Sequence, residues 1–484
     1  MKPKNVLYIS SDEHQRNAVG CYGHPFVKTP TMDALAAKGT RFANAYTPSP
    51  ICVPGRAALA TGRYVHENRC WDNSIGYHGQ MESWGHVLQA AGHRVDSIGK
   101  LHYRSEDDSN GFENEILPMH LKNGVGSVIW SVKNPLPENM LTDSKIATNI
   151  GPGESAYARY DGRIADEACQ WLKDESANPS DKPWALFVSF VSPHYPLKAP
   201  EEFYGLYKPE DMPMPKCSDP DFEFHPWFQI LRDYICHDDF FTPETRQIAM
   251  ASYYGLCTYL DSKIAQVLKA LEGCGLADDT RIIYASDHGE MLGNRRLWGK
   301  YNLYEDSTAV PMILAGPDVP AGQVINTPVS LIDLFQTVLH SVGLDEEIEK
   351  RNLPGKSLWN IVNEPDNMDR AVFSEYHATG AINSAYMIRR GQYKYHYYVG
   401  FEPELFDLDA DPDELNNLAA DPQHQKTLKE YESILRVIVD PEAADALAKS
   451  DQAEHVERNG GREAILNKGA YTGTPPPGES DANT

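Results

Sequence analysis

Four short apolar runs in this sequence each end in residues that can do chemistry. Val6 to Ser10 runs into Asp12 and Glu13, and Arg94 to Ile98 into Lys100 and His102. Trp184 to Val191 is followed by His194, and Arg281 to Ala285 by Asp287 and His288. In open parallel sheets ligands bind beyond the carboxyl ends of the strands, so four such ends carrying carboxylate, imidazole and ammonium groups point to one assembled site. Taken singly, an Asp after a strand is more often a turn former or helix cap, and a lone His a surface residue. Their coincidence is what argues for function.

Asp12, Asp287 and His288 can offer two carboxylates and an imidazole to a cation. An oxygen-rich set of this kind suits calcium, with manganese or magnesium as alternatives, better than zinc. Glu13 is either a fourth ligand or an acceptor that orients the others. The sequence contains neither HExxH nor a CxxC pair, so no recognised zinc motif is present. The segment ICVPGRAALATGRY, Ile51 to Tyr64, reads as a helix entered through Pro54, which suits a first turn. Cys52 then stands at the helix N-terminus, where free amides and the dipole favour an anion. Arg56, four residues on, falls on the same side and can neutralise an oxyanion. The plainer reading is a buried cysteine before an ordinary helix.

The elements that must position these groups follow an α/β pattern: short apolar runs separated by helical stretches. Thr31 to Lys38 reads as a helix capped by Thr31 and ended by Gly39, TYLDSKIAQVLKALEG as a second, and Leu331 to Val342 as a third. Val310 to Ala315 adds a strand. Residues 104–183 and 199–245 show no clear period and are expected as long loops. A catalytic domain is placed at residues 1–365 and a small α+β subdomain at 366–442, with a hairpin over Ala385 to Tyr398 and a turn and helix start in ELFDLDADPDELNNLA. Residues 443–484 are polar, end in GTPPPGESDANT, and are expected as an extended arm.

With 484 residues and a net charge of -25, the chain is not built to bind nucleic acid or an anionic membrane. An acidic protein handling an anion must gather its positive charge locally. The N-terminus enters a strand at once, no run of 18 apolar residues occurs, and the eight cysteines form no scaffold spacing. A cytoplasmic location is the expectation.

At this point the residues resemble a known family. CVPGRAALATGRY is similar to the signature of type I, formylglycine-dependent sulfatases of the alkaline phosphatase superfamily: Cys-x-Pro-x-Arg followed by Thr61, Gly62 and Arg63. NVLYISSDE, GYHGQ…GKLHY, SPHYPLKAP, SDHGEMLG, LWGKYNLYEDSTAVPMIL and ELFDLDADPDELNNLA follow in the family's order. The opening YGHPFVKTPTMDALAAKGTRFANAYTPSPICVP is most similar to bacterial choline sulfatases and phosphonate monoester hydrolases.

The resemblance implies a large, mostly parallel sheet flanked by helices, and a formylglycine made from Cys52 by a formylglycine-generating enzyme. Its hydrate would attack sulfur through one hydroxyl and release sulfate by collapse through the other. It implies Asp12, Asp287, His288 and residue 52 around one divalent cation, with Arg56 steadying the formylglycine and Lys300 the ester oxygens. Lys100 and His102 would touch sulfate, Asn73 the substrate, and His194 would protonate the leaving oxygen. Gly55 departs from the common Ser or Ala, and Glu13 from the usual Asp or Gln.

A phosphonate monoester or phosphodiester hydrolase is the alternative. Lys100 and His102 speak against it, because similar phosphonate hydrolases carry Tyr and Thr there. A catalytically dead scaffold would have lost Cys52, Arg56, Lys300 or a metal ligand, and none is lost. A homodimer or homotetramer is expected.

Overall fold

The computed structural model describes residues 2–137, 145–470 and 473–479. Its centre is an eight-stranded sheet in the order 323–325, 40–42, 312–315, 280–286, 5–12, 185–193, 95–100, 114–119. All pairings are parallel except those of Met312–Ala315, which runs against both neighbours. This is the mixed, mostly parallel sheet expected. Asn5–Asp12 is buried along its whole length. Val6 and Tyr8 face one core with Phe187 and Leu339, while Leu7 and Ile9 face the other with Ile98 and Leu260. The period-two alternation of a strand therefore feeds two apolar layers, one on each side of the sheet.

The helices are longer and more numerous than the sequence pattern suggested. The stretch expected to be helical from Thr258 lies within Pro243–Gly273, which starts at Thr242, whose side chain accepts from the Thr245 amide. The first helix begins at Pro30 with Thr29 at its N-cap, two residues ahead of the expected Thr31. Within the supposed loops run Ala156–Ala177 and Pro226–Ile235. Residues 138–144 of that region lie outside the described residues.

The smaller sheet is antiparallel, Val372–Tyr376, Ala385–Arg390, Tyr393–Tyr398 and Glu404–Asp407, and includes the expected hairpin. Its Phe373, Tyr386 and Tyr395 pack with Ala58 and Tyr64, so this sheet backs the helix that starts at Cys52. ELFDLDADPDELNNLA does not open a helix: Leu405 and Phe406 pair with Tyr395 and Lys394, and the next α-helix is Gln425–Ile438. Asn417 holds the intervening turn, its Oδ1 accepting from the amides of Leu405 and Ala419.

The expected extended arm is instead helical over Pro441–Arg458 and Gly461–Lys468. Asp440 caps the first of these by accepting from the Ala443 amide, and Pro441 sits in its first turn. Residues 471–472 and 480–484 of that arm lie outside the described residues. Among the described residues no helix is long and apolar enough to cross a membrane.

Candidate active site

Strands 280–286, 5–12, 185–193 and 95–100 are consecutive neighbours and all parallel, so their carboxyl ends share one edge. Asp12 and Lys100 end their strands; His194 and Asp287 follow theirs directly. Glu13 and His102, just past the ends, adopt left-handed φ values of 66° and 59°. Non-glycine residues in that region are uncommon and gather where a chain must aim a side chain. The turn at Lys100 needs Gly99: its φ is 99°, and a Cβ there would lie 2.3 Å from the Ser189 carbonyl oxygen.

Cys52 is the first residue of helix Cys52–Thr61, every residue of which is buried. Ile51 supplies no side-chain cap. Asn73 does so from a distance, its Oδ1 accepting from the Val53 amide at 3.0 Å. Gly55 has a structural reason as well, since a Cβ would come within 3.0 Å of the Ser49 carbonyl oxygen.

Around the thiol lie the expected donors. Cys52 Sγ is 3.2 Å from His288 Nε2 and 3.7 Å from Asp12 Oδ1. His288 Nε2 is 3.7 Å from one oxygen each of Asp12 and Asp287, so these four residues form a compact cluster that could hold an ion. His288 Nδ1–H donates to the Gly289 carbonyl at 3.0 Å, which turns Nε2 toward the acids. Burial, then the Asp12 charge, push the Asp287 carboxyl above its ordinary range. Burial also opposes the Asp12 charge, yet Lys100, His194 and Arg56 outweigh it and hold that carboxyl below the usual range. Buried carboxylates and a thiol crowded into one spot, with a correctly turned imidazole, fit a hard divalent cation.

Arg56 does not hydrogen-bond to residue 52. Its guanidinium donates to Asp287 at 2.8 Å, Asp12 at 3.1 Å, the Lys100 carbonyl at 2.7 Å and Ser189 Oγ at 2.9 Å. It therefore fixes the Asp12 and Asp287 carboxylates in a fork. Lys100 Nζ pairs with Asp12. Glu13 stands outside the four-residue cluster; its Oε2 accepts from Lys300 Nζ at 2.9 Å and lies 3.2 Å from His194 Nε2. The His194 ring is oriented by Nδ1–H donating to the Tyr195 carbonyl at 2.6 Å, so Nε2 faces the pocket.

At the thiol the cations prevail. Burial raises the Cys52 thiol, but Lys300, Lys100 and His288 overcome it and hold it well below normal. His102 is driven down to about 4 by burial and then Lys100, so its ring is neutral at neutral pH. The local gathering of cations that an acidic chain requires is thus in place.

All of the expected residues Glu13, Cys52, Asn73, Lys100, His102, His194 and Lys300 line one cavity, and Asp12, Arg56, Asp287 and His288 lie beneath it. Its outer walls are apolar and aromatic: Leu121, Trp130, Ile146, Tyr157, Leu197 and Tyr301. Sequence reasoning missed Glu290 and Thr474. Glu290 is a buried acid whose Oε1 accepts from the amides of Leu292 and Gly299, both at 2.7 Å. Burial and then the neighbouring Glu13 carboxylate push it well above the ordinary range. The SDHGE segment contained it, but nothing in its spacing distinguished it from a helix cap.

Residues 4–344 match the sulfatase family, and residues 293–439 match N-sulphoglucosamine sulphohydrolase, C-terminal. Choline-sulfatase of Rhizobium meliloti (strain 1021) is 32% identical over 463 residues, spanning 93% of this chain and 89% of its own. Arylsulfatase K of Homo sapiens is 30% identical over 444 residues, spanning 86% and 79% respectively. Among solved structures, phosphonate monoester hydrolase of Agrobacterium radiobacter superposes with a TM-score of 0.71 at 24% identity, covering 90% of this chain and 95% of that one, a likeness of fold. With the match running through every strand that carries a site residue, the chain belongs to the sulfatase family, the hydrolases of sulfuric ester bonds.

Proposed function

We propose that this chain hydrolyses a sulfate monoester of an aryl or small alkyl alcohol by S–O cleavage, using a formylglycine made from Cys52 and one divalent cation. The observation that carries this reading is that Lys100, His102 and Lys300 line the same cavity as Cys52. Asp12, Asp287, His288 and residue 52 would hold the cation, Ca²⁺ before Mn²⁺ or Mg²⁺, as the oxygen-rich donor set favours. When bound, the cation supplies positive charge where ester oxygens and nucleophile meet. The formylglycine hydrate supplies a hydroxyl nucleophile together with a second hydroxyl for release, which a plain thiol lacks.

The chain's own residues do the rest. Lys300 and Lys100 neutralise ester oxygens inside a low-dielectric wall, where such charges act strongly. Arg56 holds Asp12 and Asp287 in register. His194 Nε2 delivers a proton to the leaving oxygen, a step worth typically about 10²–10⁴ in rate. In sum, the S–O bond of the ester breaks, water is consumed, and alcohol, sulfate and a proton are released. Leu121, Trp130 and Tyr157 exclude water and accept the organic part of the ester.

Hydrolysis of a phosphonate monoester or phosphodiester on the same scaffold is the second reading, since charge and shape of the two esters overlap. Paired assays on an aryl sulfate and the matching aryl phosphonate decide between them. The sulfate is expected to be preferred in kcat/KM. A preference of about a hundredfold for the phosphonate would reverse the ranking.

A further inference from the structure

Residues 473–479 lie beyond both family-matched regions, yet their first two, Gly473 and Thr474, return to the cavity wall. Three groups on the first turns of helix Ala156–Ala177 anchor them. The Tyr157 hydroxyl donates to the Thr474 carbonyl at 2.9 Å, Arg163 to the Pro477 carbonyl at 2.9 Å, and Arg159 pairs with Glu479 at 3.2 Å. These contacts leave the Thr474 side chain turned inward, where its Oγ1 lies 3.2 Å from His102 Nε2. Gly473 and Thr474 line the same cavity as Cys52 and Lys300.

The other ring nitrogen of His102, Nδ1, is buried and has no hydrogen-bond partner. The ring sits beside Cys52. A neutral imidazole carries one N–H, and the hydrogen bond made by one nitrogen decides what the other presents. Were Nε2–H to donate to Thr474, the buried Nδ1 would be left as a lone pair, unable to donate to any oxygen brought beside residue 52. A hydroxyl can both give and accept, so Thr474 can resolve this in the favourable sense.

Resting on the sulfate-ester reading above, we infer that Thr474 is a positioning residue: its hydroxyl donates to His102 Nε2 and holds the ring as the Nδ1–H tautomer, which keeps a donor ready for an oxygen brought beside residue 52. The chain's last described segment is thus part of the site. Substrate geometry depends on a strap that folds back from the C-terminus.

The test uses full-length Thr474→Val, which keeps shape and loses the hydroxyl, and Thr474→Ser, which keeps the hydroxyl. Long-range ¹⁵N–¹H correlation of histidine-labelled protein reads the His102 tautomer, with its signals identified by their absence in His102→Gln. The wild type and Thr474→Ser are expected to show Nδ1–H, and Thr474→Val a shift toward Nε2–H. Losing one hydrogen bond should lower kcat/KM on an aryl sulfate by about three- to tenfold in Thr474→Val, with Thr474→Ser restoring it. An Nε2–H wild type, or a Thr474→Val protein whose tautomer is unchanged, would overturn the inference even if the rate fell. A wild type inactive on sulfates but showing the tautomer shift would instead count against the sulfatase reading and leave the tautomer claim supported.

Discussion

His194 is the residue whose role the geometry defines most narrowly. Its Nδ1–H is committed to the Tyr195 carbonyl at 2.6 Å, so Nε2, 3.2 Å from Glu13 Oε2, is the atom that can deliver a proton when the ring carries two. Replacing it by alanine removes that proton donor and leaves Lys100, Lys300 and the cation site in place. For an ester whose alcohol departs poorly, the loss should reach the full range for general acid catalysis, about 10²–10⁴. At 1.36 kcal/mol per tenfold in rate, that is about 3–5 kcal/mol of transition-state stabilisation. An alkoxide that departs readily needs no proton, so the penalty should shrink toward none. The assay is kcat/KM across a series of substituted phenyl sulfates for wild type, His194→Ala and His194→Gln. The glutamine amide can donate a hydrogen bond but cannot transfer a proton, so it should show the same steepened dependence on leaving-group basicity. An equal loss across the series in both variants would refute the acid role and reduce His194 to a partner of Glu13.

Lys300→Met keeps the side chain's stem and removes a buried charge 2.9 Å from Glu13, so it should cost about 3–5 kcal/mol in denaturant unfolding along with most activity. Unchanged stability would mean that the Glu13–Lys300 pair is not held as described. In the chain with unmodified Cys52, burial opposes protonation of His288 but Asp287 and Cys52 prevail and raise it from 6.5 to about 9. Any stability it lends the metal-free protein is then present below pH 6.5 and lost as pH rises through about 9. A cation needs the Nε2 lone pair, so Ca²⁺ binding at pH 7 should expel about one proton, and affinity should rise with pH until about 9. Calorimetry in buffers of different ionisation heats measures this, and affinity independent of pH would contradict it. Asn73→Ala should lose about 1 kcal/mol of stability with the helix cap at Val53, while Asn73→Asp keeps the acceptor and the stability. Equal unfolding midpoints for wild type and Asn73→Ala would remove the capping role.

The strand ends and their chemical residues were legible because each buried strand is a continuous apolar run that stops where the site begins. The helices that went unseen share a different feature. On Ala156–Ala177 the buried face includes Asp161 and Glu175 beside Ile164 and Trp171. Asp161 accepts from the amides of Val191 and Ser192, bracing the strand end that presents His194, and Glu175 pairs with Arg94. Carboxylates with such partners can be buried, but in the sequence they erase the apolar period. Pro441–Arg458 repeats the case, with Asp445 accepting from the Ser384 amide and Gln452 donating to Asp72 and the His377 carbonyl. Its polar composition resembled a solvated arm because its partners lie far away in sequence. The Asp440-Pro441 start was the local signal of a helix there. The reach of Thr474 to His102 had no such signal, since it depends on how the chain returns over the sheet edge.

The central claim is that residue 52 acts as an aldehyde hydrate rather than as a thiolate. Mass spectrometry of the peptide spanning residue 52, taken from protein co-produced with a formylglycine-generating enzyme, tests it most directly when the modified fraction is compared with specific activity across preparations. Activity proportional to the fraction carrying an aldehyde in place of the thiol is the predicted result. Full activity from protein whose Cys52 is entirely unmodified would contradict the account.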